Sequence, residues 1–395
     1  MFDNWPDCVT DCRHAWSGSN TNRTRRWSGC AFLGCAHSDF PVKKGKSLLR
    51  IMPQRVALRT YWTSCNLDTR ALVVGSVFAS LCVGLLFLSV SVGYTQTSFA
   101  DMWSALTGNG DIELRQTILE WRLPRVLSAI FVGSSVALAG ALFQSLTRNP
   151  LCSPDIIGFN AGAFAGVIIA AELFGGERTP STLSALAGGF IVAILVYFLS
   201  LTRTFRGLRL VIVGISLNAI ISSFNTYMKS IINVEISQNI SIWGVGSLSL
   251  ITWSDALLLY LTLIACVSLA VIVIPKMRVL EMGDDNAASL GVSARSTLTM
   301  MIVIAVVLTA VSTTVVGPIS FVALTAPHIA KFLVGSKAIN IFPTIAVGGF
   351  LLAASDLIAR TIIAPSQLPT GVVTIVFGGA YLLYLSIRGA NDYRR

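Results

Sequence analysis

The sequence has few charged residues, which make up only 12% of its 395 positions. Ordinary soluble domains carry roughly 25%. Hydrophobic residues reach 54%, and they gather in long runs that would place apolar side chains on every face of a helix. This composition excludes a water-soluble globular fold, because such runs must face lipid or other helices.

The apolar runs follow one another through most of the chain. The longer ones approach the roughly 20 residues that a helix needs to cross about 30 Å of hydrocarbon. They cover residues 71–93, 126–146, 156–174, 183–201, 210–232, 256–274, 298–316, a shorter 319–334, 341–363 and 372–387. We therefore predict an all-α polytopic membrane protein with about ten transmembrane helices. A transmembrane barrel is disfavoured, since its strands would be short and alternating.

Lys and Arg are distributed unevenly between the two sides of these predicted spans. With the N-terminus inside, most of those after residue 52 fall in cytoplasmic segments, as the positive-inside rule requires. The ones that fall outside are Arg115, Arg122, Arg125, Arg178, Lys229 and Arg360. We expect both termini to be cytoplasmic, with a basic lead-in over 52–70, a transmembrane domain over 71–390 and a short tail over 391–395. The net charge of +10 then reflects orientation, and no nucleic acid is expected as a partner.

Residues 1–51 differ from the rest of the chain in being rich in Arg, Ser, Trp and Cys without an apolar run. They are not a signal peptide. Thiols and imidazoles there invite a zinc interpretation, although their spacing is unlike that of common zinc modules. These residues are Cys8, Cys12, His14, Cys30, Cys35 and His37. The alternatives are a disordered tail, or translated upstream sequence with the true start at Met52, and no metal site is assigned.

The chain offers no nucleotide-binding loop. Gly45-Lys46-Ser47 resembles the end of a Walker A loop, but Phe40 stands where its first glycine belongs. A membrane-embedded enzyme is disfavoured because only one His follows residue 37 and no H-E-x-x-H motif is present. If ATP drives this protein, the ATPase must be a separate subunit.

Short motifs recur in a fixed order along the predicted membrane domain. They are Arg122-Leu-Pro-Arg125, Asn149-Pro-Leu151, Gly158-Phe-Asn-Ala-Gly162, Glu281–Gly291, Gly317-Pro-Ile-Ser-Phe321, Ala326-Pro-His-Ile-Ala330, Ala354–Arg360 and Leu368-Pro-Thr-Gly-Val372. This series resembles the FecCD family of ABC importer permeases over residues 71 to about 390. Within the family, the Gly-Asp-Asp and Pro-Ile-Ser-Phe segments are most similar to permeases for ferric catecholate siderophores such as enterobactin.

The resemblance implies a function and a set of partners. Members have a BtuC-like type II ABC importer permease fold and carry ferric siderophores, haem or vitamin B12 across the bacterial inner membrane. The implied partners are a second permease subunit of related sequence, two ATPase subunits that use ATP and Mg, and a periplasmic siderophore-binding protein. This chain would bind no cofactor itself. An ion-coupled secondary carrier is the rival interpretation.

Three groups of site residues follow from the matched motifs. Arg122, Arg125 and Arg360 would lie at the external face and dock the acidic lobes of the binding protein, with lipid phosphate or helix ends as alternative partners. The polar segment 276–295 would couple to the ATPase, with a short helix over Asn286 to Leu290 that Gly291 ends. Its implied residues are Glu281, Gly283, Asp284, Asp285, Ala287, Leu290 and Gly291. The cytoplasmic gate would comprise Asn149, Pro150, Leu151, Gly207 and Leu208.

Ionisable groups within the predicted spans are scarce, which argues against a coupling-ion site. Asp356 and His328 are the candidates, and Asp356 lies four residues before Arg360, where the two can pair on one helix face. Three asparagines either line the path or bond between helices, and the sequence leaves both open. They are Asn160, Asn218 and Asn225. Gly162-x-x-x-Gly166, with Gly188 and Gly189, predicts close helix packing.

Overall fold

A computed structural model of the chain describes residues 56–60, 63–92, 99–107, 111–174, 178–200, 207–249, 251–336, 338–363 and 366–393. The predictions made for residues 1–51 therefore lie outside the described residues. The described chain is helical apart from an antiparallel hairpin of β1 (Val56–Thr60) and β2 (Thr63–Leu67), in which Val56 pairs with Leu67. The hairpin lies in the segment 52–70, which the sequence analysis described only as a basic lead-in.

Fourteen α-helices are found among the described residues. In chain order they are α1 (Thr69–Ser91), α2 (Phe99–Thr107), α3 (Ile112–Gln116), α4 (Leu123–Thr147), α5 (Phe159–Phe174), α6 (Arg178–Ser200), α7 (Gly207–Ile231), α8 (Val234–Trp243), α9 (Trp253–Glu281), α10 (Asp284–Ser289), α11 (Ala294–Val316), α12 (Val322–Val334), α13 (Ile341–Thr361) and α14 (Thr370–Tyr393). A π-helical turn, Thr117–Arg122, continues α3 into α4, and a 3₁₀ turn, Pro154–Ile157, precedes α5.

Each of the ten predicted spans coincides with one of these helices. By length and composition eight helical segments are long and apolar enough to cross a bilayer, whereas α5 and α12 are shorter apolar helices. The prediction was wrong at the start of both short helices. The span predicted from residue 319 begins at Val322, because Gly317 and Phe321 have φ of 84° and 69°, which no right-handed helix accepts. The span predicted from residue 156 begins at Phe159, after Gly158 at φ 81° ends the 3₁₀ turn.

Helix α4 lies at the centre of the described bundle, and most of its side chains are buried. Small residues let other helices approach it closely, which is how membrane helices gain packing contact. Gly133 packs against the backbone of Gly348 in α13, and Gly140 packs against the carbonyl of Ala323 in α12, with no room for a Cβ at either glycine. The centre of the fold is therefore set by glycines on α4.

Helices α5 and α6 form a second close pair, as the sequence predicted. Gly162 lies against the Gly188 carbonyl, Gly166 against the Ser184 carbonyl, and Gly189 against the ring of Phe159. A Cβ at any of these glycines would overlap its neighbour. These small residues thus let the short helix α5 pack closely along α6.

Candidate functional sites

Two of the three arginines predicted at the external face share one carboxylate. Arg125, near the start of α4, donates from Nε to both carboxylate oxygens of Asp356 at 3.2 Å and from Nη2 to Oδ1 at 3.0 Å. Arg360 places its Nε 3.2 Å from Asp356 Oδ2, one helical turn away on α13. The pairing of Asp356 with Arg360 that the sequence predicted is confirmed, and Arg125 is an additional partner.

Other polar groups support this arrangement. The hydroxyl of Thr370, the first residue of α14, donates to Asp356 Oδ1 at 3.0 Å, and Arg125 Nη1 donates to Gln367 Oε1 at 2.8 Å. Arg360 also donates to the carbonyl and the hydroxyl of Ser89, near the end of α1. The site therefore joins the C-terminal ends of α1 and α13 to the N-terminal ends of α4 and α14.

The third arginine, Arg122, belongs to the same region. Its Nη1 donates to the Val90 carbonyl at 2.7 Å, beside Ser89. Arg122 is 8% exposed, Arg125 9% and Asp356 1%, so the three side chains are held within the subunit rather than extended into solvent. We call Arg122, Arg125 and Arg360 the external arginine cluster. Its role in docking stays a prediction.

On the opposite side, the coupling segment folds as a short helix between two glycines. Gly283, with φ of 115°, precedes α10, and Gly291, with φ of 75°, follows it. The Val292 amide donates back to the Ala287 carbonyl at 2.9 Å, which closes the helix end. The predicted short helix and its glycine stop are confirmed, although α10 begins two residues before the predicted Asn286.

The surface around α10 carries large apolar side chains. Met282 is 71% exposed and Leu290 is 66% exposed, whereas Ala287 is fully buried beneath them. Asp285 is also exposed. Exposed apolar residues beside a short polar helix are a typical sign of an interaction surface.

The end of α9 is tied to the helices beside it. The Ser145 hydroxyl of α4 donates to Glu281 Oε1, and Arg148 Nη2 donates to the Leu280 carbonyl at 2.8 Å. Arg278 Nη2 reaches the Ile339 carbonyl, just before α13, at 3.1 Å. A displacement at α10 would therefore reach α4 and α13 through hydrogen bonds as well as through packing.

The predicted gate residues are only partly described. Arg148 ends α4 with φ of 52°, and the Leu151 amide then donates to Asn149 Oδ1 at 3.0 Å, which forms a tight turn around Pro150. All three turn residues from Asn149 to Leu151 are exposed. Gly207 and Leu208 begin α7, but their side chains and residues 201–206 lie outside the described part. The gate stays a prediction.

The three candidate asparagines all lie near the start of α5. Asn160 donates to Asp155 Oδ1 at 2.6 Å and accepts from the Thr313 hydroxyl of α11 at 3.0 Å. Asn225 Nδ2 of α7 donates to the Ala161 carbonyl at 2.9 Å, and Asn218 packs against Gly158. Asn160 and Asn225 thus bond between helices. Asp155 was not predicted as a site residue, because it lies one residue before the apolar run that starts at residue 156.

His328 makes a structural contact. Its Nδ1 lies 2.6 Å from the Tyr381 hydroxyl of α14. Tyr381 also lines a cavity of about 330 Å³ between α12, α13 and α14, whose other walls include Ile329, Leu351 and Phe377. Within the described residues, no three His, Cys, Asp or Glu side chains lie together in a way that could hold a metal ion.

Comparison with known proteins identifies relatives over most of the chain. The sequence profile of the FecCD transport family matches residues 81–388. The ferric enterobactin transport system permease protein FepG of Escherichia coli strain K12 is 40% identical over 323 residues, which is 81% of this chain and 97% of that protein. The Fe(3+)-citrate import system permease protein YfmD of Bacillus subtilis strain 168 is 32% identical, over 77% of this chain and 91% of the relative. The hemin transport system permease protein HmuU of Yersinia pestis is 31% identical, over 78% and 93%.

A solved structure has the same fold. It shows a metal-chelate type ABC transporter in an inward-facing conformation and superposes with a TM-score of 0.73 at 26% identity. The match covers 80% of this chain and 99% of the other. The predicted all-α permease fold is confirmed by this similarity.

Proposed function

The chain is a member of the FecCD transport family, and we propose on this premise that it is the permease subunit of an ATP-driven importer for a ferric catecholate siderophore. A transport role without enzymatic activity agrees with its relatives, which are permease proteins of iron-chelate and haem systems. The solute would cross the bilayer between this subunit and a second permease of related sequence.

The observation that carries the proposal is the construction of the cytoplasmic face around α10. A separate ATPase needs a surface on which to act, and α10 provides a short helix flanked by the exposed side chains of Met282 and Leu290. Burial of apolar side chains of this size in a groove of another subunit stabilises an interface, at about 1.5–3 kcal/mol per fully buried side chain. Hydrogen bonds that Ser145 and Arg148 donate to the end of α9 then connect this surface with the spanning helix α4.

The siderophore class is inferred from sequence similarity. Identity reaches 40% with a permease named for ferric enterobactin, against 32% and 31% with permeases named for Fe(3+)-citrate and hemin. A catecholate chelate carries its iron already enclosed, so the path needs no side chains that bind bare metal. Vitamin B12, haem and other siderophores are the alternative cargoes.

The remaining parts of the system follow from the same proposal. Two ATPase subunits would hydrolyse ATP with Mg on the cytoplasmic side, and a periplasmic binding protein would deliver the chelate to the external arginine cluster. The chain would lie in the bacterial inner membrane with both termini in the cytoplasm. The excess of Lys and Arg in the segments predicted to be cytoplasmic supports this orientation.

Uptake by the whole transporter in proteoliposomes tests the proposal. We expect import of radiolabelled ferric enterobactin that depends on ATP and on the binding protein, with ferric citrate, a ferric hydroxamate and haem transported at least about tenfold more slowly. Leu290→Asp should abolish ATPase association, because it places a charge in the apolar contact. Uptake that persists without ATP while an ion gradient is kept would instead identify an ion-coupled carrier, and preferred transport of another chelate would overturn the siderophore assignment.

A further inference from the structure

The external arginine cluster raises a physical question about docking. A surface that attracts an acidic partner is expected to extend its cations into water, yet these arginines are largely buried and bound within the subunit. The group common to Arg125 and Arg360 is the carboxylate of Asp356, which is 1% exposed. We propose that Asp356 is a positioning residue that holds the external arginine cluster in the orientation required by the acidic residues of the binding protein. This inference rests on the proposed function.

The contacts around Asp356 hold the arginine side chains in one orientation, which a single surface ion pair would not do. Arg125 contacts both carboxylate oxygens, and its Nη1 is fixed separately by Gln367. Asp356 Oδ1 also accepts the Thr370 hydroxyl. A guanidinium bound at several of its nitrogens cannot rotate away without breaking several hydrogen bonds at once.

Fixing the arginines lowers the cost of docking. A free arginine side chain carries about 2 kcal/mol of rotamer entropy, which a partner must overcome when it immobilises the side chain. Asp356 and its neighbours have already immobilised these side chains before any partner arrives, and such preorganisation raises affinity. Arg125 and Arg360 carry two positive charges against the one negative charge of Asp356, so this pair still attracts an acidic surface.

Removal of the Asp356 charge separates this proposal from simple electrostatics. If the external arginine cluster worked through its total charge alone, Asp356→Asn would make the docking surface more positive and strengthen docking. If Asp356 positions the arginines, the same change leaves Arg125 and Arg360 as neighbouring buried cations that repel one another, and docking weakens. Glu120→Gln is a matched control, because Glu120 is an exposed carboxylate two residues before Arg122 and the substitution makes the same change in charge.

Two further variants keep every charge in place. Thr370→Val removes the hydroxyl that donates to Asp356, and Gln367→Leu removes the acceptor of Arg125. They carry the test if Asp356→Asn fails to accumulate in the membrane. Each removes one hydrogen bond to a charged group, and each should weaken docking by about threefold or more.

The experiment measures binding of the loaded binding protein to the complete transporter in nanodiscs, over a series of salt concentrations. The probe is the periplasmic binding protein of the proposed importer, saturated with ferric enterobactin. We expect Asp356→Asn to weaken binding by about tenfold or more and to reduce its salt dependence, while Glu120→Gln stays within about twofold of wild type. Size exclusion and basal ATPase activity measure the folded fraction of each variant. If Asp356 had a purely structural role, its substitution would lower the folded fraction without changing the affinity of the folded molecules.

The two proposals fail in different ways. If the wild-type transporter binds the probe and the double variant Arg122→Glu, Arg360→Glu does not, but Asp356→Asn binds as well as wild type or better, the positioning role is overturned and the docking function stands. If the double variant binds normally with unchanged salt dependence, the docking function fails and the positioning role fails with it.

Discussion

The hydroxyl of Ser145 donates a hydrogen bond to the carboxylate of Glu281, which joins the C-terminal end of α4 to the last residue of α9. Arg148, on the next turn, reaches the Leu280 carbonyl. Both contacts lie directly before Gly283, the residue that precedes α10. Helix α4 is the central helix of the described bundle, so these bonds connect the surface proposed to contact an ATPase with the centre of that bundle.

This connection predicts an uncoupled phenotype. Ser145→Ala removes the donor to Glu281 without disturbing α10, and we expect uptake per ATP hydrolysed to fall by about threefold, since one hydrogen bond contributes roughly 0.5–1.5 kcal/mol. The measurement is the ratio of imported chelate to released phosphate in proteoliposomes. Ser268→Ala is the control, because the Ser268 hydroxyl bonds the Ile264 carbonyl within its own helix α9. An unchanged ratio in Ser145→Ala would contradict the role of this contact.

The glycine that ends the coupling helix gives a second prediction. Gly291 has φ of 75° and open space around the position of a Cβ, so Gly291→Ala meets no neighbour and is opposed only by its backbone conformation. An L-residue in this region costs about 1–2 kcal/mol, and we expect the end of α10 and the exposed Leu290 to shift. Transport should decline while ATP hydrolysis persists, as measured by the same ratio. Gly84→Ala, in the middle of α1 with equal space, should be neutral or slightly stabilising. Equal behaviour of the two variants would count against the prediction.

Much of the fold could be predicted because the bilayer leaves few alternatives. Apolar runs must form helices, and all ten runs coincide with helices in the structure. The errors fell where backbone conformation overrides composition. Ile319 and Phe321 are apolar in sequence, but Gly317 and Phe321 turn the chain out of the helical region. The helices α2 and α8 were missed because each is short and lies outside the longest apolar runs.

The candidate sites were predictable to the extent that their contacts are local. The pairing of Asp356 with Arg360 follows from a spacing of four residues, and α10 follows from acidic residues and glycines within one segment. Arg125 lies 231 positions from Asp356, and no sequence pattern brings the two together. The burial of the arginines was equally hidden, since it depends on how α1, α4, α13 and α14 meet.

A third prediction concerns the asparagine of α5. Asn160 accepts the Thr313 hydroxyl of α11, so Asn160→Ala and Thr313→Val each break the same interhelical bond. We expect the two changes together to destabilise the protein less than the sum of the single changes, with a coupling energy of about 0.5–3 kcal/mol. Thermal unfolding of the purified subunit in detergent measures it. Additive effects would mean that Asn160 acts through other groups, such as a path for the solute.

The last prediction tests the glycines that set the centre of the bundle. Gly140 of α4 faces the Ala323 carbonyl of α12 without room for a Cβ, whereas Gly379 of α14 has nothing within 4 Å of that position. Gly140→Val must therefore push α12 away from α4 and remove packing contacts that hold membrane helices together, because lipid supplies no hydrophobic drive to restore them. Overpacking a tight core costs about 1–3 kcal/mol, and contact with backbone rather than with a flexible side chain places this site at the upper end. We expect a clear loss of folded protein by size exclusion and a lower Tm, while Gly379→Val behaves like wild type. A stable, active Gly140→Val protein would show that α12 can move away from α4 without loss of function, and the short α12 would then have to be held by α13 and α14 instead.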